Sequence, residues 1–476
     1  MIPNIDTINE EITFYAEEIT QSMYRTYLGK PNKEEYTAVL NKFNSFFDWE
    51  IISSLRKIKW DPEDNSRALY YLKGYMIGQW YSYRSKEIMD KINQLQVNKA
   101  IPWNGNKISI REARYILSDE EISTQSNLRH LVNEELNNVL YPEIYDYYNY
   151  LNLLSTELDY KNFIEATNDI RRYSVQELVE ISEEYIEQSD ELFNKKVWEF
   201  CRKGGYSFEK FNLLSSFSTE RALEDIKYLI NQMGWSSHGI EIGWANSNQK
   251  YSSSFCVPLN IPGKIILVTS SGEGFNVHRH LYHEFGHGFH FMNTSPTLKY
   301  EFRRMGDHAV AEAYSALLES LMFNESWLAK RGYPKEIAKY AYYHRCYLIR
   351  KYWAKIKSEL FVHLDGTYQK DNINYFNKWY LRTLNSNFDS MWWAFSLDDE
   401  LNAASQMRGW LLSAQINECL QERYGVDWFE NRDAGVWLKE LFSYGYKYNA
   451  DEISKIIGYK KLDAKALIFE LNRFKD

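Results

Sequence analysis

The sequence predicts a predominantly helical, all-α protein with one small β element, on three observations. Apolar residues recur at three- and four-residue spacing along most of its 476 residues, proline is scarce at nine, and turn formers with a β-rich stretch are confined to about residues 240–275. From the N-terminus, MIPNIDTINEEITFYAEE is acidic and has no positively charged start followed by an apolar run, so it does not read as a secretion signal and a cytoplasmic address is expected. The run SVQELVEISEEYIEQSDELF from Ser174 opens with the capping-box pair Ser174 and Glu177 and puts Leu178, Ile181, Tyr185 and Leu192 on one inner face. The Cys-Arg-Lys-Gly-Gly break that follows suggests a boundary near residue 210, between an N-terminal helical lobe (1–210) and a second lobe (211–476). A further helix is predicted from Thr219, capped by Ser218, to a stop at Gly234. Lys264 to Thr269 (KIILVT), bounded by Pro262-Gly263 and Ser270-Ser271-Gly272, reads as a strand. The segments 276–291 and 308–323 return to helical spacing, the first with Asn276 as its expected cap.

Composition excludes several classes of function. The net charge of −9 with no basic cluster argues against nucleic acid or an anionic membrane as main partner, and no segment reaches the roughly 18 apolar residues of a membrane helix. Cys201, Cys256, Cys346 and Cys419 are scattered singly, unlike a disulfide framework or a cysteine zinc site, and are expected to be reduced. Aromatic residues reach 16%, which fits packing between large helices and also fits an aromatic-lined, peptide-gripping surface.

Chemistry concentrates in NVHRHLYHEFGHGFHF, residues 276–291; six of the ten histidines lie in it or shortly after it. Residues four apart on a helix stack on one face, so His283 and His287 present two imidazoles to one ion, with Glu284 turned to the side where a bound water would sit. A catalytic zinc needs a third protein ligand and an open position. His290 and Asn293 stand where a metzincin would carry Gly and His, which leaves a carboxylate on a second helix. Glu312 lies 25 residues beyond His287 (312 minus 287), in the helical run HAVAEAYSALLESLMF. Ser315 and Glu319 share its face and are candidates to hydrogen-bond the ligand imidazoles; His290, one turn past His287, is a candidate for the same shell or for substrate contact. His278, His280 and His308 are not expected to be ligands. Gly286 and Gly288 each cost about 1 kcal/mol of helix propensity relative to Ala, which is tolerable where they let a strand or helix approach closely.

HEFGHGFH (His283 to His290), followed by E-x-x-S-x-x-x-E (Glu312, Ser315, Glu319), resembles the thimet oligopeptidase and oligoendopeptidase F zinc metallopeptidases, as does the preceding YSSSFCVPLNIPGKIILVTSSG. The resemblance is clear over about residues 250–325 and weaker over 400–470. It implies a neurolysin-like two-lobed fold with a deep substrate channel, one Zn2+ per chain held by His283, His287 and Glu312, and Glu284 as general base. It also implies short unstructured oligopeptides as substrates, aligned on the strand Lys264 to Thr269. The family's Tyr-rich segment that supports the tetrahedral intermediate has no counterpart in FDSMWWAFSLDDELNAASQMRGWLLSAQ, so Arg408 is the first candidate for that role, with Tyr444 and Tyr446 behind it. Two other readings stay open: a carboxypeptidase or dipeptidyl carboxypeptidase on a related helical zincin fold, although the HPF and DxRxT strings of the thermostable carboxypeptidases are absent, and a non-catalytic peptide-binding protein.

Overall fold

The helices predicted at Thr219–Gly234 and after Ser174 form with the caps that local chemistry sets for them. The computed structural model describes residues 5–27, 38–39, 41–117, 126–198, 200, 217–244 and 254–475. Ser218 accepts from the Arg221 amide at the start of the helix Thr219–Met233, and Gly234 ends that helix at φ 62°. The helix Val175–Leu192 follows Ser174, whose hydroxyl accepts from Glu177. Leu178, Tyr185 and Leu192 are buried as expected, while Ile181 is half-buried.

The boundary expected near residue 210 lies outside the described residues. The chain divides into two compact units, one gathering 1–76, 180–349 and 403–476, the other 77–179 and 350–402. Non-contiguous stretches therefore build each core, which a single cut in the sequence cannot represent. The second unit packs the helices Tyr141–Glu157, Phe163–Arg171 and Ile373–Leu384 together with a hairpin of β1 (Ala100–Trp103) and β2 (Asn106–Ser109). Trp80, Trp353 and Trp393 in this unit, and Trp327 and Trp428 in the first, are almost wholly buried, so much of the aromatic content serves packing. Cys346 and Cys419 are buried, Cys256 is half-buried, and no disulfide forms among them. Among the described residues no helix is long and apolar enough to cross a membrane.

The first unit holds a three-stranded sheet in the order β3 (Ile240–Trp244), β5 (Lys264–Thr269), β4 (Phe255–Asn260). The β5 strand spans the residues predicted for it, but it is central, parallel to β3 and antiparallel to β4. Its neighbours are short strands interrupted by turn residues, with no strong periodicity of their own. Val257, Ile266 and Val268 turn to one face and pack with Tyr24 of the helix Ile5–Tyr27. Leu267 turns to the other, against the helix Phe275–Asn293, here called the histidine helix. That helix starts at Phe275 with Gly274 at φ 114° before it, and no side chain caps it; Asn276, the expected cap, is already inside the helix.

Two glycines on the histidine helix set its approach distances. A Cβ at Gly286 would lie 2.4 Å from Ser315 Cα, and one at Gly288 would lie 3.2 Å from Ile240 Cδ1. The first neighbour is backbone of the helix His308–Glu319, the glutamate helix; the second is the end of a side chain that can shift. Gly286→Ala should therefore lose at least about 1–3 kcal/mol through overpacking, despite the gain in helix propensity. Gly288→Ala should stay close to the parent protein. Urea denaturation of the two variants checks the contrast, and equal stability would contradict it.

Candidate metal centre

The rotation of the histidine helix is fixed from its buried side. Asp225, on the helix Thr219–Met233, receives His278 Nε2 at 3.1 Å, the Tyr282 hydroxyl at 3.1 Å, the Tyr333 hydroxyl at 2.7 Å and Arg331 Nε at 2.7 Å. His278 Nδ1 lies 3.2 Å from the Ser218 carbonyl. A buried carboxylate with this many donors is satisfied and ionised; burial alone would raise its pKa, but His278, Tyr333 and Arg331 bring it below the usual range. His278 is thus a structural anchor, as expected of a non-ligand. Asp225 escaped the sequence reading, although a carboxylate between the core positions Ala222 and Ile226 is a visible anomaly on an apolar stripe.

With His278 and Tyr282 turned inward, His283 and His287 face the glutamate helix, their ring centroids 4.9 Å apart. His283 Nε2 lies 3.4 Å from Glu312 Oε2, and His287 Nε2 lies 3.6 Å from Glu312 Oε1. One donor atom from each of the three residues falls within 4.8 Å of the others, the sole such set among the described residues. Zinc bonds of 2.0–2.1 Å in a tetrahedron space their donors by roughly 3.4 Å, so these separations fit. Glu312 Oε2 is buried with no hydrogen-bond partner, as a metal-directed oxygen would be.

Electrostatics agree. Burial pushes His283 down, but Glu312 and Glu319 outweigh it and hold the ring up at about 10. Burial would raise Glu312, yet His287 and His283 bring it down to about 2. The point where the three side chains converge therefore favours positive charge. Glu319 Oε2 sits 3.2 Å from His283 Nδ1, the arrangement that fixes a ligand imidazole with Nε2 free for metal. His287 has no such support among the described residues; its Nδ1 is buried without a partner, and burial pushes the ring down to about 4.

Glu284 is half-buried beside this cluster, beneath β4, whose backbone at Cys256 slightly lowers its carboxyl. Burial raises its carboxyl to about 7, with Glu312 adding to the push and His283 opposing it. A carboxyl poised near neutrality suits a general base.

The remaining candidates separate. Arg408 is buried and its Nη2 lies 2.8 Å from both Asp307 and Asp451, so two carboxylates claim it. Asp307 also caps the glutamate helix, making Arg408 an anchor for that helix start and not the oxyanion group first expected. Tyr444 is turned to the Glu440 carboxylate at 3.4 Å and is likewise set aside. Tyr446 is buried, with its ring 6.1 Å from that of His308 and 5.3 Å from that of His290; burial raises its pKa, and so do the nearby charges of Glu312, Cys256 and Asp307. His290 is buried in the aromatic group of Phe291, Tyr314, Phe442 and Tyr446, with Nε2 3.3 Å from the Gly445 carbonyl, so packing claims it. Ser315 does not bond the imidazoles: its Oγ has no hydrogen-bond partner and its Cα forms the contact with Gly286. His280 lies 2.6 Å from Arg279 Nη2 and His308 is exposed, one turn before Glu312.

No family model matches the sequence, and no curated protein matches it. Solved structures do match in fold. Metallocarboxypeptidase 1 from Trypanosoma cruzi shares 13% identity at a TM-score of 0.63 over 98% of each chain. A protein assigned as oligoendopeptidase F from Bacillus anthracis str. Ames shares 12% at 0.59, covering 100% of this chain and 96% of that one. The M32 carboxypeptidase of Deinococcus radiodurans R1 shares 12% at 0.61 over 98% of each chain. The chain thus has the predominantly helical fold common to these peptidases. Added zinc should bind at one ion per chain and, at a hundredfold excess over its dissociation constant, stabilise the protein by about 2.7 kcal/mol, seen as a raised Tm. Glu312→Gln should lose most of that rise; an unchanged shift would remove Glu312 from the ligand set.

Proposed function

We propose that this chain is a zinc-dependent oligopeptidase that hydrolyses peptide bonds in short, unstructured peptides. The observation that carries the reading is the convergence of His283, His287 and Glu312 with Glu284 alongside, beneath an edge strand. His283, His287 and Glu312 would hold the ion, which when bound supplies a Lewis acid for the scissile carbonyl and lowers the pKa of water. Glu284, set near neutrality by burial, takes a proton from the attacking water and returns it to the leaving amine. Tyr446, near Glu312 and carrying a protonated phenol, replaces Arg408 as the proposed donor to the developing oxyanion. The substrate-aligning strand also changes: both sides of β5 are taken by β3 and β4, whereas β4 pairs on one side alone among the described residues, so an extended peptide is proposed to lie along β4. Arg304, bonded to the Leu259 carbonyl at 2.6 Å, marks the far end of that strand.

A carboxypeptidase is the second reading, favoured by the carboxypeptidases among the matching folds. Glu284→Gln should abolish turnover while zinc remains bound, measured by peptide cleavage alongside metal analysis; substantial residual activity would rule out the base assignment. Tyr446→Phe should lower kcat by about 10²–10³ with little change in KM. Mass spectrometry of a mixed peptide library separates the two readings: cuts far from both ends support an oligopeptidase, and cuts confined to the C-terminal one or two residues support a carboxypeptidase.

A further inference from the structure

The charged chain that starts at His283 continues well behind the metal centre. Glu319 uses Oε2 for His283, and its Oε1 accepts from Arg279 Nη1 at 3.0 Å. A second guanidinium, that of Arg345 on the helix Glu336–Asp365, brings Nη1 to 3.9 Å from the same Oε1. Arg345 is only 2% exposed, and its Nε and Nη1 have no hydrogen-bond partner among the described residues. Its guanidinium lies 5.0 Å over the Trp410 ring and 5.9 Å over that of Phe323. A cation so deeply buried costs several kcal/mol unless carboxylates compensate it. Glu319 on the metal side does so; the buried Glu470 of the helix Lys465–Asn472 feels the Arg345 charge, which lowers its carboxyl, but burial outweighs this and raises it to about 7. A core position that needed only volume would be filled more favourably by an apolar residue.

We infer that Arg279 and Arg345 are positioning residues for the metal: together they hold Glu319 so that its Oε2 faces His283 Nδ1 and leaves Nε2 of that ring turned toward His287 and Glu312. The two cations do this from different elements. Arg279 reaches Glu319 from the histidine helix itself, one turn before His283, and Arg345 reaches it from a separate helix packed behind. Because Nδ1 of His287 has no partner among the described residues, the support given to His283 carries the orientation of the imidazole pair. The inference rests on the metal-centre reading above and adds residues that touch neither ion nor substrate.

The test is zinc affinity of the folded, metal-stripped full chain, measured by competition with a chromophoric chelator. Arg345→Met and Arg279→Met should each weaken zinc binding by roughly 10–100-fold, as loss of an outer-shell partner does. KM for a peptide at saturating zinc should stay near the parent value, and Arg345→Lys should recover part of the affinity. Since both arginines act through Glu319, adding Arg345→Met to Glu319→Gln should weaken zinc little further, whereas fully additive losses would overturn the inference. So would parent-like zinc affinity in folded Arg345→Met. Should that variant fail to fold, Arg279→Met and Arg345→Lys decide, and parent-like affinity in both overturns the proposal. His283→Ala serves as the reference: if it keeps tight zinc binding the metal-centre reading itself is wrong, while its loss beside a parent-like Arg345→Met rejects the positioning role alone.

Discussion

The close crossing of the glutamate helix over its neighbours is the constraint on which the site depends. Glu312 reaches the two imidazoles because its helix is pressed between two glycines. A Cβ at Gly286 would fall 2.4 Å from Ser315 Cα, and a Cβ at Gly409 would fall 2.6 Å from Glu312 Cβ. Neither position has room for a methyl group without moving backbone or the root of the Glu312 side chain. The close approach at Glu312 Cβ fixes where the side chain leaves its helix, and from there its carboxylate reaches both imidazoles. Packing thus sets the position of the Glu312 backbone against the two imidazoles.

A second constraint is rotational. A helix can cross at the right distance and still show the wrong face, and Asp225 prevents that by fastening His278 and Tyr282 to the core side. His283 and Glu284 follow Tyr282 directly, so their directions are set by the same anchor. At the other end, Arg408 and Asp307 tie down the start of the glutamate helix, one and a half turns before Glu312. The buried polar groups that anchor this site therefore divide into those that aim helices, Asp225 with His278 and Asp307 with Arg408, and those that aim side chains, Glu319 with His283.

What could be read from the sequence was what depends on nearby residues. His283 and His287 are paired by helical spacing alone, Ser218 and Gly234 bound a helix by local backbone chemistry, and the β-rich run at 264–269 declared a strand. Glu312 was legible because its helix was plain and the ligand set lacked a carboxylate. The rest depends on contacts far apart in the chain. Whether β5 is central depends on short partners on either side of it; whether Arg408 faces substrate depends on Asp307 and Asp451, 101 and 43 residues away. Asn276 failed as a cap because Gly274, at a φ closed to most side chains, turns the chain into the helix two residues early. The two compact units could not be found by one cut, since each draws on separated stretches.

The two histidines of the motif look equivalent in sequence but are not so in the fold. His283 stands between two carboxylates, with Nδ1 on Glu319 and Nε2 facing Glu312, while His287 faces Glu312 on one side and has an unpartnered, buried Nδ1 on the other. An imidazole with an ionised acceptor behind it is the stronger electron donor, so His283 is the more basic imidazole of the pair. The charge that makes it so cannot be left exposed to chance in a low-dielectric core, because a carboxylate buried beside a neutral ring would take up a proton instead. Cations behind Glu319 are the physical answer to that difficulty, and the helix carrying Arg345 begins after the glutamate helix has ended, outside both motif segments. In the proposed metal site, the basicity of His283 is thereby set in part by Arg345, a residue that the motif does not contain.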